Sequence, residues 1–454
     1  MKYNYADMCH GPLFKNIILY TVPIILTGVL QLLFNAADLI VVGRYCGSLS
    51  VGAVGATGSL ISLFVNLFVG LSVGASVCAA QAIGANNTEK LHRIVHTAMP
   101  AALICGLFLT AVGLFGTKLF LRLMATPDDV IDLSATYMRI FFCGMPASML
   151  YNFGAAILRS SGNTKGPLYY LSTAGVLNVI LNLIFVTVFK MDVAGVALAT
   201  VISQFLSAVL TVLALMHRTD NARFIIRASK IHKKEIGEIV HIGLPAGIQA
   251  SLFSISNVII QSSVNSFGSV VMSGNAAAQN IEGFVYTTMN SFQQTSLNFT
   301  GQNYGAKQYK RINKIMAICL MSVSAAGLLT GVTAYIFGKP LLSIYITDSP
   351  QAIEYGLLRL SYILILYFLC GTLDVTTGAI RGMGASVLPM AVTIIGVCVF
   401  RIVWVFTIFA IPEYHTLGCL YISYPISWII TFAAELLIFI IINRKNIKRA
   451  AELK

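Results

Sequence analysis

Thr27, Gln31, Asn35 and Asp38 step by four, four and three through a stretch that is otherwise apolar. That spacing lines one carboxylate and three neutral polar groups along one face of a helix. Three more acids stand inside apolar runs: Glu282, Asp374 and Glu435. A carboxylate near the centre of a bilayer costs about 2.5–3.5 kcal/mol, so each needs a compensating role. It can take up a proton or a hard cation, contact a cationic solute, or pair with an intramembrane arginine. Arg139, Arg359 and Arg401 lie within apolar runs. None in the first half lies at the depth of Asp38, which favours ion coupling there. A polar stripe on such a helix must face protein or a water-filled cavity.

Asn178 and Asn182 stand one helical turn apart, and Thr200 follows on the next span. In the second half, Asn275, Gln279, Glu282, Tyr286, Asn290 and Gln293 recur at steps of three or four, as do Asn257, Gln261 and Asn265. These stripes read as polar walls of a cleft. Glu282 could draw a cationic substrate, serve as a second protonation site, or be a structural hydrogen-bonded acid. Tyr286 could stack on an aromatic cation. Asp374 is expected to pair with Arg401, with direct coupling as the alternative. Glu435 reads as a snorkelling or packing residue.

Apolar spans must position these groups. Of the 454 residues 57% are hydrophobic and 10% charged, too little charge for a water-soluble surface. Stretches of about 20 apolar residues, enough to cross a bilayer, are expected near 13–42, 50–80, 93–117, 130–158, 166–189, 194–216, 237–266, 270–300, 314–338, 353–380, 388–411 and 419–442. Of the 30 Lys and Arg, 22 fall in inner segments and five in outer loops when the N-terminus is placed inside. That asymmetry puts both termini in the cytoplasm of a cell (plasma or inner) membrane. The net charge of +13 sits at span ends and argues against nucleic acid. Residues 1–12 read as a cytoplasmic N-terminus without a removable signal peptide, 13–216 and 237–442 as two six-helix lobes, and 443–454 as a basic tail. The basic segment 217–236 reads as a cytoplasmic linker, either solvated or lying on anionic headgroups as an amphipathic helix. Nine scattered cysteines make no Cys-x-x-Cys pair, and no nucleophile triad, His-Glu-x-x-His or phosphate loop occurs. The chain is therefore not expected to be an enzyme, to use ATP or to carry a cofactor beyond a coupling ion.

A long pattern occurs twice, about 221 residues apart. Pro23 and Pro245 open the halves, and Gln81 to Ala85 answers Gln302 to Ala306. Leu158-Arg159-Ser160-Ser161-Gly162 answers Ile380-Arg381-Gly382-Met383-Gly384, and Pro167 answers Pro389. With an even number of spans per half, the copies relate by a pseudo-two-fold axis along the membrane normal. These elements, with Phe34 to Asp38 running into Val42-Gly43-Arg44 and Gln279 to Gly283, resemble the prokaryotic branch of the multidrug and toxic compound extrusion (MATE) family. The likeness runs from about Leu13 to Asn443. It implies an all-α integral membrane fold of twelve helices, two six-helix lobes and a V-shaped central cleft. It also implies export of cationic or amphipathic drugs by antiport with Na⁺ or H⁺.

In that family an acid on the first helix works with an Asn, an Asp and a Thr on the fifth and sixth. Asp38, Asn178 and Thr200 match, while Asn182 stands where many members carry Asp. Asn keeps an oxygen ligand but holds neither proton nor charge. One carboxylate, two amide oxygens and a hydroxyl could hold one Na⁺, or Asp38 one proton. Gln31 and Asn35 join the substrate-facing set. The alternative is a lipid-linked oligosaccharide flippase of the same broad architecture. A monomer is the expected state.

Overall fold

In hydrocarbon every backbone N–H and C=O needs a partner, and a helix supplies them within one segment. The computed structural model describes residues 7–124, 126–347 and 349–452, and these form helices with no strand. Residues 1–6 of the expected N-terminal segment and the last two of the tail lie outside the described residues. The first half contains α1 (Leu13–Tyr45), α2 (Ser48–Gly84), α3 (Thr88–Leu123), α4 (Asp128–Cys143), α5 (Met145–Ser160), α6 (Lys165–Leu183) with a π turn at Ile184–Val188, and α7 (Asp192–Met216). The second contains α8 (Lys233–Asn265), α9 (Ser269–Gly305), α10 (Tyr309–Ile336), α11 (Gly338–Tyr345), α12 (Pro350–Ile363) and α13 (Tyr367–Gly382). It ends with α14 (Val387–Thr393), a π turn at Ile394–Val399, α15 (Phe400–Phe406) and α16 (Leu417–Glu452).

Among the described residues nine helices are long and apolar enough to cross a membrane, or eleven with each of two bent pairs taken as one span. The 37-residue α9 is long enough, but its polar stripe lowers its hydropathy. With it the passes reach the expected twelve.

The fourth and tenth spans, expected to be continuous over 130–158 and 353–380, are each broken. α4 meets α5 at 47° and α12 meets α13 at 48°. At the first break Pro146 has no N–H to give the Phe142 carbonyl. The carbonyl accepts instead from a backbone N–H at the α4 C-cap and from the Thr110 hydroxyl of α3, the latter at 2.7 Å. Gly106, one turn earlier, lets Pro146 approach so closely that an added Cβ would lie 2.3 Å from the proline Cα. The second break has no proline. Its turn tightens instead, Tyr367 N bonding Leu364 O at 3.3 Å. The counterparts of Gly106 and Thr110 are Gly327 and Gly331, and a Cβ at Gly331 would lie 2.2 Å from Leu364 O. The repeat therefore keeps a close α3-type contact at each bend but satisfies the backbone differently.

The chain forms two compact units. Val22–Ser251 makes the body of the first; Met8–Thr21 and Leu252–Lys454 make the second. Both boundaries fall inside long helices, α1 and α8. In the first unit the start of α8 lies on α2: a Cβ at Gly74 would be 2.1 Å from Ile239 O, and one at Gly247 would be 2.1 Å from Leu67 O. In the second unit the start of α1 lies on α9, where Thr21 and Thr295 share a hydroxyl hydrogen bond of 2.8 Å. Gly243 and Gly74 thus correspond in the repeat to Thr21 and Thr295. Small residues allow backbone contact in one unit, and a polar pair joins the helices in the other.

The linker between α7 and α8 is not an amphipathic helix, since its helical residues are Ile226–Ala228 alone, a single 3₁₀ step. Arg218 forks onto Asp220, with Nε to Oδ1 at 2.7 Å. Burial would raise the Asp220 carboxyl, but those charge-assisted bonds outweigh it and hold the group below its ordinary range.

Candidate functional site

The π turn after α6 and the tight start of α7 bring the two helices side by side, with Asn178, Asn182 and Thr200 facing α1. Asn182 spends both amide hydrogens, one on Asp38 Oδ1 and one on Asn178 Oδ1 at 3.3 Å. Asn178 Nδ2 reaches Thr200 Oγ1 at 3.4 Å, and Thr200 donates to Val196 O at 3.0 Å. Thr200 also lies within hydrogen-bond reach of Asp38. Asn182 is fully buried, Asn178 nearly so, and Asp38 half-buried. The four residues named from the sequence are therefore one connected cluster.

Asn182 Oδ1 is buried and has no hydrogen-bond partner. A lone buried acceptor beside a carboxylate is costly unless something electropositive visits it. Asp38 makes no ion pair among the described residues. The oxygens of Asp38, Asn182, Asn178 and Thr200 fit a hard monovalent cation, or Asp38 alone a proton.

Around the cluster, Val41, Val42, Val186, Val193, Val196 and Ala197 form a dry packing with Tyr137 of α4. Tyr137 lies close enough to feel the charge of Asp38. Sequence reasoning missed it, since a tyrosine on an apolar helix carries no spacing signal. Farther along α1, Thr27 returns its hydroxyl to Pro23 O at 2.7 Å. Gln31 and Asn35 are exposed.

The second-half stripes meet in a different way from that expected. Of the roles open to Glu282, the contacts match the structural hydrogen-bonded acid and not substrate attraction, since its carboxylate is neutralised by Arg359 of α12. Arg359 donates Nε to Oε1 at 2.7 Å and Nη2 to Oε2 at 2.8 Å, and its Nη1 binds Asn275 Oδ1 at 2.8 Å. Both partners are buried, and the guanidinium lies 5.4 Å from the Tyr421 ring centre. Asn275 and Gln279 both donate to Gln261 Oε1, at 2.7 and 3.1 Å. Asn257 is exposed, and Tyr286 stands near Tyr367 with ring centres 6.3 Å apart.

Asp374 and Arg401 do not pair. Arg401 donates Nε to Ser427 Oγ at 3.0 Å and lies 4.0 Å from the Tyr424 ring centre, so aromatic faces take the place of a carboxylate. Asp374 Oδ2 has no hydrogen-bond partner, and the charge of Arg381 is the one it feels. Glu435 does not snorkel. It is fully buried and accepts from Thr377 Oγ1 at 2.6 Å and Thr393 Oγ1 at 2.9 Å.

Comparison with known proteins places this geometry among transporters. The MatE family model matches residues 23–184 and again 245–407, once in each half. A probable multidrug resistance protein of Bacillus subtilis (strain 168), YpnP, is 28% identical over 87% of this chain and 88% of its own length. A second from that organism, YoeA, is 28% identical over 93% of this chain and 92% of its own. A crystal structure of MATE in complex with MaL6 superposes with a TM-score of 0.92 at 20% identity, over 98% of this chain and all of that one.

Proposed function

This chain belongs to the MatE family of multidrug and toxic compound extrusion transporters, and on that basis we propose that it exports cationic or amphipathic small molecules by antiport, with Asp38 as the ion-sensing carboxylate. The observation that carries this reading is the cluster itself: an unpaired carboxylate hydrogen-bonded to Asn182, whose own Oδ1 is buried and unpartnered. Ionised Asp38 accepts from the Asn182 amide. Once protonated it becomes a donor, for which Asn182 Oδ1 is the acceptor in waiting. A bound Na⁺ would use the same oxygen as ligand. Either ion neutralises the one negative charge, so one coupling ion per cycle is expected at this site.

Neutralisation removes the demand that kept this part of α1 beside α6 and α7. The flexible point is Pro23, which withholds its N–H from the Leu19 carbonyl while Thr27 bonds back to the Pro23 carbonyl. We infer that ion arrival from outside repacks α1 about that point, releases substrate outward, and is reversed when the ion leaves inward. With a neutral substrate, one charge moving inward through 100 mV releases about 2.3 kcal/mol, enough for roughly a fifty-fold gradient; a one-for-one swap with a monovalent cation is electroneutral and is driven by the ion gradient alone. The chain acts as a monomer in the plasma membrane with both termini cytoplasmic. An oligosaccharide-lipid flippase is set aside, because a pyrophosphate headgroup calls for cations where this cluster offers a carboxylate and neutral oxygens.

The test is dye efflux from proteoliposomes under separately imposed Na⁺ and H⁺ gradients. Wild type should export with one of the two, and Asp38→Asn should lose gradient-driven export while folding normally. Full export by Asp38→Asn under either gradient would remove Asp38 from the coupling role.

A further inference from the structure

We propose that residues 223–231, in the segment joining α7 to α8, form a docking surface for the anionic headgroups of a lipid leaflet. α7 and α8 are both long enough and apolar enough to span, so the residues between Met216 and Lys233 lie at a membrane face. Within that stretch Ile225, Ile226 and Ile231 are exposed at 42, 60 and 40%. Arg223, Arg227 and Lys230, all exposed, are interleaved with them, and Lys233 and Lys234 follow. None of these five bases is in an ion pair with an acid among the described residues. The acids that could have quenched them are engaged elsewhere: Asp220 by Arg218, Glu235 by Arg93 of α3 at 3.3 Å, and Glu238 by Lys90 of α3 at 2.7 Å. Unquenched cations alternating with exposed isoleucines suit a surface with anionic groups above an apolar layer.

The segment is also held in place, so little ordering is left for binding to impose. Pro100 withholds an N–H from the His96 carbonyl of α3, and Lys230 N supplies one at 3.3 Å. The His96 ring is used at both nitrogens. Nδ1 lies 2.8 Å from the His92 carbonyl, and Nε2 accepts from Ile225 N at 3.0 Å. Thr97 Oγ1 accepts from His232 N at 3.2 Å. Phe224 and Ala222 are buried beneath, with the Phe224 ring 5.5 Å from that of His96. Inward-facing residues clamp the strap to α3 and leave its isoleucines and bases on the outside.

The experiment is hydrogen exchange of the peptide covering 223–232 in the full-length protein. Nanodiscs of phosphatidylcholine alone are compared with nanodiscs containing phosphatidylglycerol. Exchange should slow several-fold in the anionic discs, and Arg227→Gln with Lys230→Gln should abolish the difference, since each lost cation weakens anionic-surface attachment about five-fold. Equal rates in the two discs would overturn the proposal, as would slowing that persists in the double variant. Equal slowing by soluble glycerol 3-phosphate in detergent would also overturn it, in favour of a free-anion site. The comparison of discs needs no variant, so a folding defect in the substitutions leaves the test intact.

Discussion

A buried charge that has lost its partner costs more than a pair that was never there, and Glu282 with Arg359 is the place to measure this. Both side chains are buried and the contact is bidentate. Arg359→Met should destabilise the protein by about 3–5 kcal/mol, because it strands the Glu282 carboxylate. Adding Glu282→Leu should recover most of that loss, read as thermal unfolding in detergent. An unstable double variant would mean that the pair contributes more than its own charges. Transport of cationic and neutral dyes should fall alike in the single variant, unlike a carboxylate that attracts substrate. The sequence displayed Glu282 clearly, as an acid on a polar stripe, but not its partner, 77 residues away on a helix with no matching stripe. Asp38, Asn178, Asn182 and Thr200 were legible for the opposite reason. Helical spacing and a family pattern both single them out, although Asp38 and Asn182 stand 144 residues apart. Arg401 defeated the reading because aromatic faces satisfy a guanidinium without announcing themselves as partners.

Among elements, eleven of the twelve passes followed from length and hydropathy, because hydrocarbon thickness sets their length, while the polar stripe of α9 masks the twelfth. The two bends did not follow with equal ease. Pro146 marks the first, whereas the second lies in Leu364-Ile365-Leu366, where no residue type breaks a helix. What distinguishes it is a glycine on another helix, and one chain read alone does not reveal which elements touch. The first bend has a chemical signature that can be tested. Thr110 adds a donor to the carbonyl that the N–H missing from Pro146 would have met, beside a backbone N–H at the α4 C-cap. Thr110→Val should therefore cost about 0.5–1.5 kcal/mol by removing one of the two donors to the Phe142 carbonyl. In a Pro146→Ala background residue 146 regains its N–H, and the same Thr110→Val change should cost little. A double-mutant cycle on thermal stability reads this coupling directly. Independent, additive effects would show that Thr110 serves some end other than the broken ladder.

At the scale of the whole molecule, the duplicated pattern made two halves visible, and the polar linker seemed their natural border. The compact units divide elsewhere, within α1 and α8. Hydropathy cannot see such a border, because the chain stays apolar and helical straight through it. The border has a consequence for fragments. A piece ending at residue 228 has α2 but lacks the start of α8, so Gly70 and Gly74 face no backbone, and His96 loses most of the strap that follows Ile225. A piece ending at Ser251 restores both, because Val22–Ser251 is the body of one unit. Expressed alone in the same membrane, the longer fragment should resist limited proteolysis within α2 and α3 and the shorter one should not. Close helix contact in lipid depends on small residues meeting a partner backbone, and Gly70 and Gly74 without one expose unpacked surface instead. If the fragment ending at 228 proves as resistant as the one ending at 251, α8 is dispensable to the first unit, and the linker, not the interior of a helix, is where this protein divides.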